Sequence, residues 1–206
     1  MLILTAGHFG RAVGQHLAAH HGARCADLAQ ACAQLPALLD GEDFVGVALW
    51  RPYPQLCREV DQACFARGVR WSMVESQGET LTCGPLVVPG QGACHHCYQR
   101  RTASFLRAPE REQALRAHFD AQPECGVPGY PQALVMIGAA ALLEDAAAGA
   151  PAARVRSVDV LTSSVRESEV IGIHRCPRCR PRDAGFDPTS RAAGALQPAL
   201  EELLDA

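Results

Sequence analysis

A doubly wound α/β fold, a parallel sheet with helices on both faces, is the architecture this sequence predicts. Three observations carry it. Up to Glu75 the chain alternates apolar runs with amphipathic stretches in β-α-β-α-β order. Its apolar runs are continuous, as in strands covered on both faces. The loop Thr5-Ala6-Gly7-His8-Phe9-Gly10 leaves the first run and opens the first helix, where a nucleotide fingerprint would sit.

Residues 2–5 read as a short buried strand, and residues 9–20 as a helix with Phe9, Val13 and Leu17 on one face, ending near Gly22. His20 and His21 fall at its C-terminus, where a proton on either ring favours the macrodipole. A second strand covers 23–26, Asp27 caps a helix over 28–39, and 44–49 is a third strand. Residues 54–67 form a helix with Leu56, Val60, Ala63 and Cys64 inward, closed by Gly68, before a fourth strand over 69–75. Beyond Glu75 the pattern changes. Residues 76–79 read as a turn, 80–88 as a strand interrupted at Gly84-Pro85, 101–122 as a polar, Arg-rich stretch of weak helical periodicity, and 123–131 as a loop of turn formers. A strongly apolar helix over 132–148, strands over 154–161 and 164–174, and a tail with one short amphipathic helix at Leu200–Leu204 complete the reading.

Composition bounds the function. With 48% hydrophobic and 20% charged residues and a net charge of -3, the chain can bury a substantial core. Only 5% of its residues are aromatic and it has no basic excess, which argues against a nucleic-acid binder. Its longest apolar run, 134–143, falls short of the roughly 20 residues that span a bilayer. No basic secretory n-region precedes the first strand, so the ten cysteines point to a reducing cytoplasm rather than to disulfides.

Four of those cysteines carry the most specific signal. Cys94-His95-His96-Cys97 and Cys176-Pro177-Arg178-Cys179 are two Cys-X-X-Cys knuckles, and four thiolates make a closed tetrahedral Zn²⁺ site with no open position for water or substrate. The long separation in sequence predicts a structural zinc that joins distant parts of the fold. His95 and His96 are alternative ligands, although the cysteine pair already closes that half-site. His174 fits either a donor to the site or a surface position. Cys25, Cys32, Cys57, Cys64 and Cys83 read as small buried hydrophobes.

In the opening loop Gly7 would admit a phosphate to the backbone, Gly10 would allow close helix–strand packing, and Asp27 stands where an acidic ribose partner is expected. Thr5 replaces the first glycine. The loop therefore reads as a degenerate nucleotide loop, a Rossmann turn for which ATP is not the expected cofactor.

From Thr82 to Arg101 the chain reads Thr-Cys-Gly-Pro-Leu-Val-Val-Pro-Gly-Gln-Gly-Ala-Cys-His-His-Cys-Tyr-Gln-Arg-Arg, which resembles the GPLVxPGxxxCxxCxxRR segment of ThiF-like, ubiquitin-activating-enzyme-like (E1-like) proteins. The second knuckle, from His174 to Cys179, is similar to their closing element, and residues 44–50 followed by Arg51-Pro52-Tyr53-Pro54 extend the likeness over 1–182, leaving 183–206 as a tail. Within that superfamily the segment resembles the cyclodehydratase partner proteins of azole- and azoline-modified (TOMM) peptide biosynthesis, the precursor leader peptide-binding group. The resemblance implies a zinc-containing, peptide-binding scaffold that presents a precursor peptide to a YcaO-type subunit and activates that ATP-using enzyme, with no catalytic residue of its own. A homodimer is an open arrangement. The chain starts at the first Rossmann strand, without the leader-binding winged helix of larger relatives, so a separate recognition protein or strand addition at a sheet edge would supply that step.

One alternative belongs to another class: a small adenylating or thiol-transfer enzyme with Gly7 and Gly10 at ATP and Cys125 as carrier thiol. Cys125 has Glu124 beside it rather than an activating cation. Arg100, Arg101, Arg107 and Arg111 read either as a solvated helix face or as a strip that meets an acidic peptide.

Overall fold

A computed structural model describes residues 1–122, 125–126 and 129–179. Its strands, numbered in chain order, are β1 Leu2–Ala6, β2 Arg24–Asp27, β3 Phe44–Leu49, β4 Arg70–Gln77, β5 Thr80–Cys83, β6 Arg154–Asp159 and β7 Ser164–Glu169. Its helices are α1 Gly7–His21, α2 Leu28–Cys32, α3 Leu35–Leu38, α4 Pro54–Arg67, α5 His95–Ser104, α6 Pro109–Ala121 and α7 Gln132–Ala146.

The strands form one sheet in the order β2-β1-β3-β4-β5-β6-β7. β2, β1, β3 and β4 are parallel, whereas β4–β5, β5–β6 and β6–β7 are antiparallel. Because β1 pairs with both β2 and β3, the winding reverses there, and the crevice beyond their carboxyl ends is where such sheets take ligands. Alternation along β1 explains its apolar run: Ile3 packs with Phe9, Val13 and Leu17 of α1 and with α7, while Leu2 and Leu4 pack against α2, α3 and α4. Each of these side chains is essentially sealed from solvent, worth roughly 1.5–3 kcal/mol apiece.

α7 clamps the parallel and antiparallel halves. Its buried Asp145 accepts from Ser72 Oγ of β4 at 2.6 Å, and from Arg154 and Arg156 of β6 at 3.0 and 3.2 Å. A carboxylate at 1% exposure is tolerated because both oxygens are occupied.

Several elements differ from the sequence reading. The helix expected over 28–39 is two short ones, since Pro36 offers no N–H to the Cys32 carbonyl one turn earlier, and Gln34 leaves the helical region at φ -125 and ψ 10. The strand expected over 80–88 ends at Cys83. Gly84 turns there at φ 101, where a Cβ would lie 2.3 Å from the Arg154 carbonyl, and Val87 then bridges back to Trp71. The polar stretch 101–122 is helical: α5 runs into it and α6 follows, started by Pro109 with Glu110 and Glu112 in its first turn. β6 stops at Asp159, whose carboxylate accepts from the Leu161 and Thr162 N–H groups, and β7 stops at Glu169. The tail helix expected near Leu200–Leu204 lies outside the described residues.

A four-cysteine candidate metal centre and the crevice beside Trp50

Cys94 caps α5 and Cys97 sits in its first turn, so the free N–H groups and positive end of a helix face the sulfurs. The second knuckle comes from beyond β7, where Arg175 turns through φ 52 to aim Cys176 inward. All four Sγ atoms lie within 4.8 Å of one another. Cys94–Cys97, Cys94–Cys176 and Cys97–Cys179 are 3.8, 3.6 and 3.5 Å apart. A tetrahedral ion with metal–sulfur bonds of about 2.3 Å has edges of about 3.8 Å, so the cluster fits one Zn²⁺-sized ion. Ile173 N–H adds a donor to Cys97 Sγ at 3.4 Å. Burial pushes the Cys94 thiol up, whereas at Cys176 it is outweighed by the Cys179 and Arg178 N–H groups, which draw it down to about 7.

Beyond the sulfurs, the second knuckle is seated on α4 by an ion pair with a buried carboxylate that sequence reasoning missed. Arg178 pairs with Asp61 of α4, 2% exposed, which also accepts from the Trp71 indole N–H at 3.2 Å. The Arg178 guanidinium lies 5.1 Å from the Phe65 ring centre. Arg101 donates to the Ile171 and Gly172 carbonyls, which ties α5 to the segment leading into the second knuckle, and Arg100, Arg101, Arg107 and Arg111 are all exposed.

His95 packs its ring against Trp71 at 4.9 Å and Tyr98 at 5.8 Å. Burial, with Arg58 and His96 adding, pulls its pKa down to about 4, which keeps the ring neutral. His174 is exposed. Cys57, Cys64 and Cys83 are buried and their thiols pushed up by burial, and Cys32 is half-buried. Cys25 corrects the expectation of a buried residue. It lies on β2, which among the described residues has no strand on its far side, and is exposed while its Sγ donates to the Gly14 carbonyl at 3.2 Å.

At the crevice, Gly7 adopts φ +70, and a Cβ there would stand 2.1 Å from Trp50 Cγ. Gly126 approaches the other end of the same indole, where a Cβ would lie 3.0 Å away. His8 meets Trp50 edge-on at 5.6 Å and Tyr53 OH accepts from its Nε1 at 2.7 Å. Trp50 therefore packs directly over Gly7, while Thr5, Arg11 and Asp27 line an open cavity alongside α1. Gly10 serves close packing, since a Cβ there would strike the Ala48 carbonyl at 2.2 Å. Asp27 Oδ1 caps α2, accepting from the Ala29 and Gln30 N–H groups. Nearby, the Cys125 thiol is 3.7 Å from His118 Nε2; Glu124 lies outside the described residues. Glu75 stands at the carboxyl end of β4, and burial pushes its carboxyl up to about 7 although Arg116 opposes the shift.

No family model and no curated protein matches this chain significantly. Solved structures do. The heterocyclase TruD superposes with a TM-score of 0.60 at 18% identity, over 95% of this chain and 31% of that one. A heterocyclase in complex with substrate and cofactor gives 0.56 at 19% identity, over 86% of this chain and 24% of that one. A chain of the E. coli microcin synthetase McbBCD complex gives 0.55 at 12%, over 85% and 66%. The chain thus shares its fold with a portion of these heterocyclase and microcin synthetase proteins, spanning less than a third of the two heterocyclases. Among the described residues, no helix is long and apolar enough to cross a membrane.

Proposed function

We propose that this chain is a zinc-stapled, ThiF-like partner subunit of a YcaO-type cyclodehydratase, acting in the cytoplasm in the biosynthesis of ribosomally made peptides with thiazole- or oxazole-type rings. The observation that carries the reading is the four-sulfur cluster closed between two knuckles that lie 82 residues apart. The fold held in common with heterocyclase and microcin synthetase chains supports it. Cys94, Cys97, Cys176 and Cys179 would hold the zinc, which when bound supplies a structural cross-link with no coordination position left for substrate. Gly7, Gly10 and Asp27 keep the geometry of a nucleotide loop in structural use, and the ATP chemistry belongs to the partner. Residues 1–182 form the scaffold domain and 183–206 its tail. Activation arises from assembly: a scaffold that holds the precursor peptide and the ATP-using subunit in register lowers the entropic barrier to their encounter.

The test is reconstitution. The purified chain, a YcaO-type subunit and a precursor peptide are combined with ATP, and loss of water from the peptide is followed by mass spectrometry. The chain should raise turnover while binding no ATP alone. ATP binding or pyrophosphate exchange by the isolated chain would overturn the reading. One observation favours the adenylating or thiol-transfer alternative, the proximity of Cys125 to His118. Under the scaffold reading Cys125→Ser leaves ring formation intact; under the alternative it abolishes transfer.

A further inference from the structure

The last turns of α1 carry three histidines, His16, His20 and His21, that the core does not use. Phe9, Val13 and Leu17 bury the inner face of the helix, while His16 is half-buried and His20 and His21 are exposed. Residues at i and i+4 stand one above the other on a helix, the spacing by which paired histidines hold a metal ion. The His16 and His20 ring centres lie 4.6 Å apart, with their planes tilted by 47°. Two imidazoles bound at right angles to one ion, through bonds of about 2.0–2.1 Å, have centres about 4.5 Å apart; on a tetrahedral ion the figure is about 5.2 Å. The observed separation is that of neighbouring positions on a tetragonal ion. We propose that His16 and His20 form a second metal site, an open two-imidazole chelate for a divalent transition ion of the Ni²⁺ and Cu²⁺ class.

The position of the pair favours a cation. α1 ends at His21, and Gly22 closes it at φ 64 by donating its N–H to the Leu17 carbonyl. Its last turn holds no arginine, so the negative end of the helix has only histidine rings to face it, and these carry charge only when protonated. A metal ion binds the neutral ring and brings its own charge to that end. Among the described residues neither the His16 nor the His20 ring has a hydrogen-bond partner, which leaves their nitrogens to a ligand. Because a helix anchored in the core already holds both side chains on one face, little freedom is lost when an ion joins them. The site differs in kind from the four-cysteine centre, whose thiolates suit zinc and close its coordination sphere. His21 lies about 140° around the helix from His16, off the shared face.

The test uses the untagged full chain, saturated with Zn²⁺ beforehand. Ni²⁺ is the probe, since Cu²⁺ would oxidise free thiols. Calorimetric titration should return one Ni²⁺ per chain. His16→Ala and His20→Ala should each weaken that binding about tenfold or more, while His21→Ala leaves it unchanged. A second measurement places the ion. Followed by mass spectrometry, Ni²⁺ should slow amide hydrogen exchange at the end of α1 in the native chain and in His21→Ala, and in neither of the other two variants. An ion held by a thiol or by the chain's amino terminus would not produce that pattern. Absence of Ni²⁺ uptake would overturn the proposal. So would binding that survives both His16→Ala and His20→Ala, or that falls equally in all three variants, since either result describes an adventitious ion only.

Discussion

Replacing Asp61 by alanine removes the acceptor on which the second knuckle rests, and the structure sets the size of the loss. Asp61 is 2% exposed and serves two donors, Arg178 and the Trp71 indole N–H. Breaking a buried ion pair by removing one partner costs about 3–5 kcal/mol when the other charge stays buried. The Arg178 side chain keeps 21% exposure and can turn to water, which reduces that contribution to about 1–2 kcal/mol. The orphaned Trp71 N–H, wholly sealed in the core, adds about 1–3 kcal/mol. We expect about 3 kcal/mol in total, a shift of the urea midpoint of about 1–2 M at unchanged slope. Asp61→Asn keeps an acceptor for Trp71 and should cost about half as much. Release of metal to a chromogenic chelator, followed in parallel, should quicken in the same order because the knuckle loses its seat. A cost below about 0.5 kcal/mol for Asp61→Ala, or equal costs for the two variants, would refute the assignment of Asp61 as the anchor.

Three further outcomes follow from the same geometry. Cys97→Ser should weaken zinc binding about a hundredfold or more, read by metal analysis after dialysis against a chelator, and should expose the bonds after Arg175 and Arg178 to trypsin. The raised carboxyl of Glu75 means that the folded state holds a proton the unfolded chain has released, so between about 4.5 and about 7 stability falls as pH rises. Glu75→Gln should flatten that slope and stabilise the protein by about 1–2 kcal/mol at pH 8, measured by urea titration at pH 5 and pH 8. Gly7→Ala should cost about 3 kcal/mol or more from left-handed backbone plus collision with Trp50, and a double-mutant cycle with Trp50→Ala should recover part of it.

The parallel half of the sheet was legible because strands buried on both faces are apolar almost throughout, as β3 is and as β1 is but for Thr5, and because Gly22 and Gly68 end α1 and α4 where the pattern stops. The two knuckles were legible from chemistry alone, since few other arrangements place four thiols at that spacing. What lay hidden depends on tertiary placement. Nothing local distinguishes Asp61 from any helix carboxylate until Arg178, 117 residues away, meets it. Trp50 reads as the end of an apolar strand, and only the crossing at β1 and β3 swings its indole over Gly7. Cys25 was misjudged because its residue type suggests burial, whereas its strand, Arg-Cys-Ala-Asp, lies at the edge of the sheet.

The knuckle partners Cys94 and Cys176 stand 82 positions apart, and α6, α7 and the terminal β6–β7 hairpin all belong to the segment between them. Once the sulfurs share an ion, that segment becomes a closed ring sealed by a clasp. A hairpin at the end of a sheet is otherwise the piece a molecule most readily lends to its neighbour. With an ion bound, the loan would require the clasp to open first, so the metal would also guard the chain against exchanging these strands.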